Sequence, residues 1–355
     1  MDEALKALRA RIDSIDDTLL QLVSERAGLA QAVGRAKNGE KIYRPEREAQ
    51  IVRRLRETNP GPLDGDTVER LIREVMSACR ALEQNIRVAY LGPAGTFSQA
   101  AAYKHFGHAV EAVAEADIDA CFRAVETGRA DFAVVPVENS TEGAIARTLD
   151  LIVASPLKIC GEIMLPIHQN LMRKNAGLEG IDRVYGHAQS LAQCQNWLNR
   201  HLPRAERVSV VSNSEGARRA AAEPDAATLG SDAAAELYGL AIVEARIEDE
   251  AGNTTRFLVL APADAAPSGR DKTSLVVGVH NQPGAIVKLL QPLADAGVSM
   301  SKLESRPARS ANWEYLFFVV CEGHRQDAKL AATLAEIESR AAFLKILGSY
   351  PAAQS

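Results

Sequence analysis

Leu5, Leu8, Ile12, Ile15, Leu19, Leu22, Leu29 and Val33 recur at steps of three and four, the heptad seam of one long helix. Running from about Ala4 to Lys37, it would be ~50 Å long at 1.5 Å per residue. The first 85 residues are almost free of strand signals and supply too little chain to cover such a stripe. The seam therefore predicts pairing with a second copy, an intertwined homodimer. Two cations interrupt it: Arg26 stands four residues beyond Leu22, and Lys37 four beyond Val33. An unpaired buried guanidinium costs several kcal/mol and is kept where something anionic meets it. Asp16, Asp17 or Glu25 is one source of that anion; a bound ligand is the other.

The next segments weigh toward the ligand. Pro45 starts a second helix on which Glu48 shares a face with Ile51, Val52 and Leu55, so a carboxylate points toward the core. After the turn Asn59–Asp66, with Asp66 as the expected N-cap, a third helix carries Val68, Leu71, Ile72, Val75, Cys79 and Leu82 on its stripe and Glu83 beside it. Several cations and two carboxyls at half-buried positions, without a Cys-His pair or metal spacing, describe a small polar cavity suited to a small dianion.

At 355 residues the chain exceeds a single core and suits two or three domains. Hydrophobic residues at 46% and charged residues at 25% exclude a disordered or fibrous chain. A net charge of -5 argues against broad nucleic-acid binding. Met1-Asp-Glu-Ala-Leu-Lys has no basic-then-apolar pattern, and Leu316–Cys321 falls far short of the ~20 apolar residues of a membrane helix. Five scattered cysteines without a Cys-x-x-Cys pair point to reduced thiols and a cytoplasmic location. No signature of a metal, nicotinamide or other cofactor is present.

Composition changes near Ile86. From 88 to 262, β-branched runs (Val134-Val-Pro-Val, Arg183-Val-Tyr, Val208-Ser-Val-Val, Arg256-Phe-Leu-Val-Leu) alternate with Ala-rich helical stretches, which predicts an α/β domain. Pro262–Asp271 reads as a linker, and residues 272–350 follow the order βαββαβ of a ferredoxin-like unit. In the middle region a glycine turn, Gly92-Pro-Ala-Gly-Thr96-Phe97-Ser, lies between a strand and a helix, where anions commonly bind. Val137-Glu138-Asn139-Ser140-Thr-Glu is a polar run at a strand end, the rim at which α/β proteins take ligands. A helix cap by Ser140 would lack capping-box support, because Gly143 stands three residues on. Asn253-Thr-Thr255-Arg256-Phe sets two hydroxyls and a cation before a buried strand.

These motifs resemble known families. Leu8-Arg-Ala-Arg-Ile-Asp, Arg26, Gly34-Arg-Ala-Lys37 and Arg47-Glu48 resemble the all-helical chorismate mutase domain over residues 1–87. The resemblance implies that Arg9 of the partner subunit and Arg26 hold the substrate carboxylates, helped by Arg47. It also implies that Lys37 donates to the ether oxygen and that Glu48 takes the substrate hydroxyl. Arg44, Cys79 and Glu83 occupy site positions where a well-known form of the motif has Asp, Ser and Gln. Glu83 replaces that Gln as a donor only when protonated.

Residues 88–262 are similar to prephenate dehydratase, a two-lobed α/β fold with its site in the cleft, through Gly92-Pro-x-Gly-Thr96-Phe97, Pro136-Val-Glu138-Asn139-Ser140, His187-x-Gln189 with Gln193-Cys, and Thr254-Thr255-Arg256-Phe. The resemblance makes Thr255 the catalytic donor or orienter, Arg256 a carboxylate ligand, and Glu138, Asn139 and Gln193 cleft residues. Asn281-Gln-Pro-Gly284-Ala285-Ile286 and Leu303-Glu304-Ser305-Arg-Pro resemble the amino-acid-binding ACT domain, which implies an effector site for L-phenylalanine there. The expectation is a bifunctional enzyme taking chorismate through prephenate to phenylpyruvate. Its rivals are a dehydratase preferring arogenate and a non-catalytic phenylalanine sensor.

Overall fold

The computed structural model describes residues 2–36, 43–279, 282–307 and 315–353. They form two compact units, Met1–Ile86 with Phe106–Glu111, and Arg87–His105 with Ala112–Ser355.

The first unit is built on α1 (Asp2–Ala36), α2 (Pro45–Glu57) and α3 (Gly65–Ala81). The seam of α1 is exposed: Leu8 is 64% and Leu29 61% exposed. Asp64, not Asp66, caps α3, its carboxylate accepting from the Thr67 amide at 2.7 Å. Asp66 instead pairs with Arg56 at 2.7 Å, which ties α3 to α2. The expected stripe of α3 is also displaced. Met76, Ser77, Cys79 and Arg80 are its buried residues, whereas Leu71 and Leu82 are more than half exposed. Tyr43 packs against Phe106, and Gly34 lets α3 approach α1, since a Cβ there would collide with the Glu83 carboxylate.

The second unit opens with β1 (Arg87–Leu91), α4 (Phe97–Phe106), β2 (Glu111–Glu115), α5 (Ile118–Glu126), β3 (Phe132–Asn139), β4 (Gly143–Ala144), α6 (Ala146–Ala154) and β5 (Lys158–Pro166). The chain then crosses to a second lobe. That lobe comprises β6 (Asn170–Arg173), β7 (Arg183–Gly186), α7 (Ala188–Gln193), α8 (Gln195–His201), β8 (Glu206–Ser209), α9 (Asn213–Ala222), β9 (Ala226–Gly230), α10 (Asp232–Tyr238) and β10 (Ala241–Glu244). It returns as β11 (Thr254–Ala261), so the first sheet runs β2-β1-β3-β11-β5 and the second β10-β6-β9-β7-β8. Both are mixed sheets: β1 is parallel to β3, whereas β11 is antiparallel to β3 and β5. The two crossing segments are bonded to each other, Ile167 N to Asn253 O and Ile247 N to Gln169 O, both at 2.8 Å.

The last part is β12 (Asp271–Val279), α11 (Ala285–Asp295), β13 (Met300–Pro307), β14 (Tyr315–Glu322), α12 (Ala328–Arg340) and β15 (Phe343–Pro351). Its antiparallel sheet, β13-β14-β12-β15, has the ferredoxin-like order. This module shares a core with the first lobe, in which Val276, Phe318, Leu347 and Tyr350 pack with Val135, Ile159 and Leu258. β15 lies directly on β5: a Cβ on Gly348 would strike the Ile159 carbonyl and come within 2.7 Å of its nitrogen. Lys345 donates to the carbonyls of Val153 at 2.7 Å and Ser155 at 2.6 Å, capping α6, which has no basic residue of its own in its last turn.

Candidate active sites

In the helical unit, Arg26, Arg44, Arg47, Arg80, Glu48, Cys79 and Glu83 line a pocket of about 280 Å³. Arg80 is not among the expected site residues, although Met76, Cys79 and Arg80 share one face of α3 by the same three-and-four spacing that places Glu48, with Glu83 just beyond the helix end. Arg80 is 5% exposed and held three ways. It pairs with Glu48, donates to the Phe106 carbonyl at 2.6 Å, and stacks over the Tyr43 ring at 5.1 Å. The Glu48 carboxylate thereby receives one fixed orientation in the pocket. Arg26 has no ion-pair partner among the described residues, so neither Asp16, Asp17 nor Glu25 neutralises it. Arg9 lies exposed on α1 and away from this pocket. Lys37 falls outside the described residues.

Between the lobes of the second unit lies a cleft of about 570 Å³ whose walls include Thr96, Phe97, Asn139, His187, Gln189, Gln193 and Thr255. The register of β11 against β3 sets Thr255 opposite Asn139, and both side chains are more than nine-tenths buried. Asn139 Nδ2 donates to Thr255 Oγ1 and to Asn253 Oδ1, each at 2.8 Å. Its Oδ1 accepts from Thr141 N and Oγ1 at 3.1 and 2.6 Å, which fixes the amide orientation. The glycine turn is fastened across the cleft, with Ser231 Oγ donating to Gly95 O at 3.1 Å and Ser214 Oγ donating to Ala94 O. Gln193 Nε2 is a buried donor without a partner among the described residues, and it faces the cavity. No lysine or arginine lines this cleft among the described residues.

Three expected cleft residues lie elsewhere. Successive strand residues point to opposite faces, so Arg256, next to Thr255, turns to the back of the sheet. There it binds Glu162 at 2.9 Å and the Tyr350 hydroxyl at 2.9 Å, and it does not reach the cleft. Burial would lower the guanidinium pKa, but Tyr350 and Glu162 outweigh it and raise the value. Glu138, opposite Arg256, pairs with Lys302 at 2.6 Å and is absent from the cleft lining. Ser140 accepts from Thr254 N at 3.0 Å, closing the strand end rather than capping a helix. Glu162, which no sequence signal marked, has no exposed side-chain surface. Burial raises its pKa, but Arg256 and Lys272, the latter 2.6 Å away, outweigh this and lower it.

In the last module Gly284 adopts φ +75° at the start of α11, directly before Ala285 and Ile286. Leu303 and Ser305 sit on the exposed face of β13, while Glu304 alternates to the face that carries Lys302 and Arg306. Asn281 falls outside the described residues.

An arginine-lined helical pocket, a cleft between α/β lobes without lysine or arginine among the described residues, and a ferredoxin-like module together define a two-site enzyme with an appended domain. The comparisons agree. Residues 8–84 match the family model of chorismate mutase type II, residues 88–265 that of prephenate dehydratase, and residues 273–339 that of the ACT domain. A bifunctional chorismate mutase/prephenate dehydratase from Neisseria gonorrhoeae is 52% identical over 99% of this chain and 98% of the relative. The chain belongs to the family of bifunctional chorismate mutase/prephenate dehydratases. A prephenate dehydratase from Arthrobacter aurescens, solved in complex with L-Phe, aligns at TM-score 0.69 and 33% identity over 76% of this chain and 90% of that one. GqqA, described as a quorum quenching acylase, aligns at 0.69 and 28% identity over 75% of this chain and 98% of its own. One backbone thus carries more than one chemistry, and the cleft residues must carry the assignment.

Proposed function

We propose that the helical pocket rearranges chorismate to prephenate, and that the cleft turns prephenate into phenylpyruvate under feedback from L-phenylalanine. The observation that carries this division is the placement of cations: among the described residues, four arginines line the helical pocket and no arginine or lysine lines the cleft. The rearrangement of chorismate breaks an ether bond and forms a carbon–carbon bond within one dianion, so it needs no nucleophile. Arg26 and Arg47 receive the carboxylates, joined by Arg9 of the partner subunit, and Glu48 takes the hydroxyl. Lys37 donates to the ether oxygen as charge gathers there, and Glu83 is the second catalytic residue at that oxygen. Arg44 and Cys79 complete the wall.

In the cleft the ring carboxylate leaves as carbon dioxide. Its bonding electrons enter the ring and expel the opposite hydroxyl, with aromatisation as the driving force. A cation beside that carboxylate would stabilise the starting anion and oppose its loss, and among the described residues no lysine or arginine lines the cleft. The Thr255 hydroxyl, already accepting from Asn139, has its own proton free for the departing oxygen. Gln193 Nε2, Gln189, His187 and the Thr96–Phe97 turn remain to hold the pyruvyl end.

We further propose a cytoplasmic homodimer joined through α1, whose seam residues Leu5, Leu8, Ile12, Ile15, Leu19, Leu22, Leu29 and Val33 are 45–64% exposed. L-phenylalanine is assigned to the Asn281–Ile286 turn with Leu303 and Ser305. The deciding experiment incubates the chain with chorismate and follows its loss and the appearance of phenylpyruvate. Chorismate loss without phenylpyruvate would refute the cleft reading, and arogenate run in parallel would expose a preference for that substrate. Sedimentation of the full chain tests the dimer: replacing Leu8 and Ile15 with Asp should give a monomer without mutase activity.

A further inference from the structure

β13 presents two faces with different partners. Leu303 and Ser305 are exposed on one, while Lys302 and Arg306 on the other grip the dehydratase lobe. Arg306 Nη1 donates to Ala146 O, the first residue of α6, at 2.8 Å. Lys302 Nζ is buried and ion-pairs with Glu138 Oε2 at 2.6 Å without a hydrogen bond among the described residues; the lysine side chain is 16% exposed and that of Glu138 35%. A desolvated ammonium with one counter-ion cannot let it go cheaply, so Lys302 and Glu138 move together. Glu138 precedes Asn139, whose amide holds the Thr255 hydroxyl. The same two β3 residues stand opposite Arg256 and Thr255 on β11, so a shift of the β3 end reaches both faces of the catalytic strand.

We propose that Lys302 is a positioning residue of the dehydratase cleft, acting through Glu138 on Asn139 and Thr255, and that it is the link by which L-phenylalanine on the opposite face of β13 alters turnover. This rests on the reading of the cleft as a prephenate site and of the Leu303–Ser305 strand as an effector site. A ligand changes an equilibrium only by contacting its two states differently. The contact here is made at Leu303 and Ser305, and Lys302 transmits it because one strand carries all three.

The test compares the full-length wild type with Lys302→Met, which keeps the stem and removes the charge, and Lys302→Arg, which keeps the charge. Each is assayed for prephenate turnover against rising L-phenylalanine and, separately, for L-phenylalanine binding by calorimetry. Lys302→Met should bind L-phenylalanine within about threefold of wild type yet need at least about tenfold more of it to halve turnover, the size of a typical coupling. Lys302→Arg should restore inhibition to near the wild-type curve; a merely structural role would weaken binding and inhibition together. An inhibition curve for Lys302→Met that overlays wild type overturns the proposal. So does loss of L-phenylalanine binding, which would make Lys302 part of the effector site. If Lys302→Met fails to fold, Lys302→Gln, which also removes the charge, takes its place, and a wild-type ratio of inhibition to binding in that variant overturns the link. A wild type that binds L-phenylalanine but leaves prephenate unchanged overturns the parent reading instead.

Discussion

The Asn139 side-chain amide donates to the Thr255 hydroxyl across 2.8 Å, between two strands whose residues are 116 apart in sequence. The hydroxyl oxygen is thereby an acceptor on one side, and its proton is left for the cavity. Thr255→Ala should lower prephenate turnover by about 10²–10⁴-fold, the range of a lost positioned proton donor. Thr255→Ser should keep most of it, and chorismate turnover should be unchanged in both. Parallel assays of the two substrates check this; loss of both activities in a folded variant would break the assignment of separate sites.

Glu162 sets an acid limit. Its folded pKa is depressed by Arg256 and Lys272 against the opposing effect of burial, so its stabilisation is complete above the unfolded glutamate value of about 4.3 and is lost as pH falls through the folded one. Glu162→Gln leaves two part-buried cations, Arg256 and Lys272, short of a counter-charge and should cost about 3 kcal/mol near neutrality. Urea melts at pH 7 and pH 3.5 should show the gap between variant and wild type narrowing in acid. An equal gap at both would remove Glu162 as its source.

Gly34 and Glu83 make a separable pair. A methyl at Gly34 would displace the Glu83 carboxylate rather than backbone. Gly34→Ala should therefore favour α1 by up to about 1 kcal/mol of helix propensity while lowering mutase turnover. Glu83→Gln, whose amide is a permanent donor, should keep mutase turnover, whereas Glu83→Ala should lower it. Wild-type turnover in Glu83→Ala would mark Glu83 as a bystander.

Burial pushes the thiols of Cys121, Cys194 and Cys321 up to about 12, far from the thiolate form at pH 8. A thiol reagent at pH 8 should spare these three in the folded chain and reach all five cysteines in guanidinium, read by mass spectrometry of the peptides. Rapid native labelling of any of the three would contradict their packing.

Local order made much of this legible. The βαββαβ succession and the β-branched runs are period-2 and period-3.6 patterns that tertiary packing reinforced, and Thr255 and Asn139 were marked by polar runs at strand ends. Arg256 follows Thr255 in the motif, yet neighbours on a strand face opposite ways, so adjacency in sequence does not give adjacency in space. Arg80 is readable by helical spacing, one position beyond Cys79 and four beyond Met76. Glu162 and Lys302 were beyond reach, since their partners lie 110 and 164 positions away and no local period connects them.

The final strand has a consequence for biosynthesis. A ribosome releases the chain from its N-terminus, so the strands of the first lobe emerge well before β15, which brings Tyr350 to Arg256 and Lys345 to the end of α6. The helical unit is built from residues up to 111, whereas the lobe bearing Thr255 waits for β15. A nascent chain stalled before residue 343 would carry the first unit entire and the second still open along the face that β15 covers.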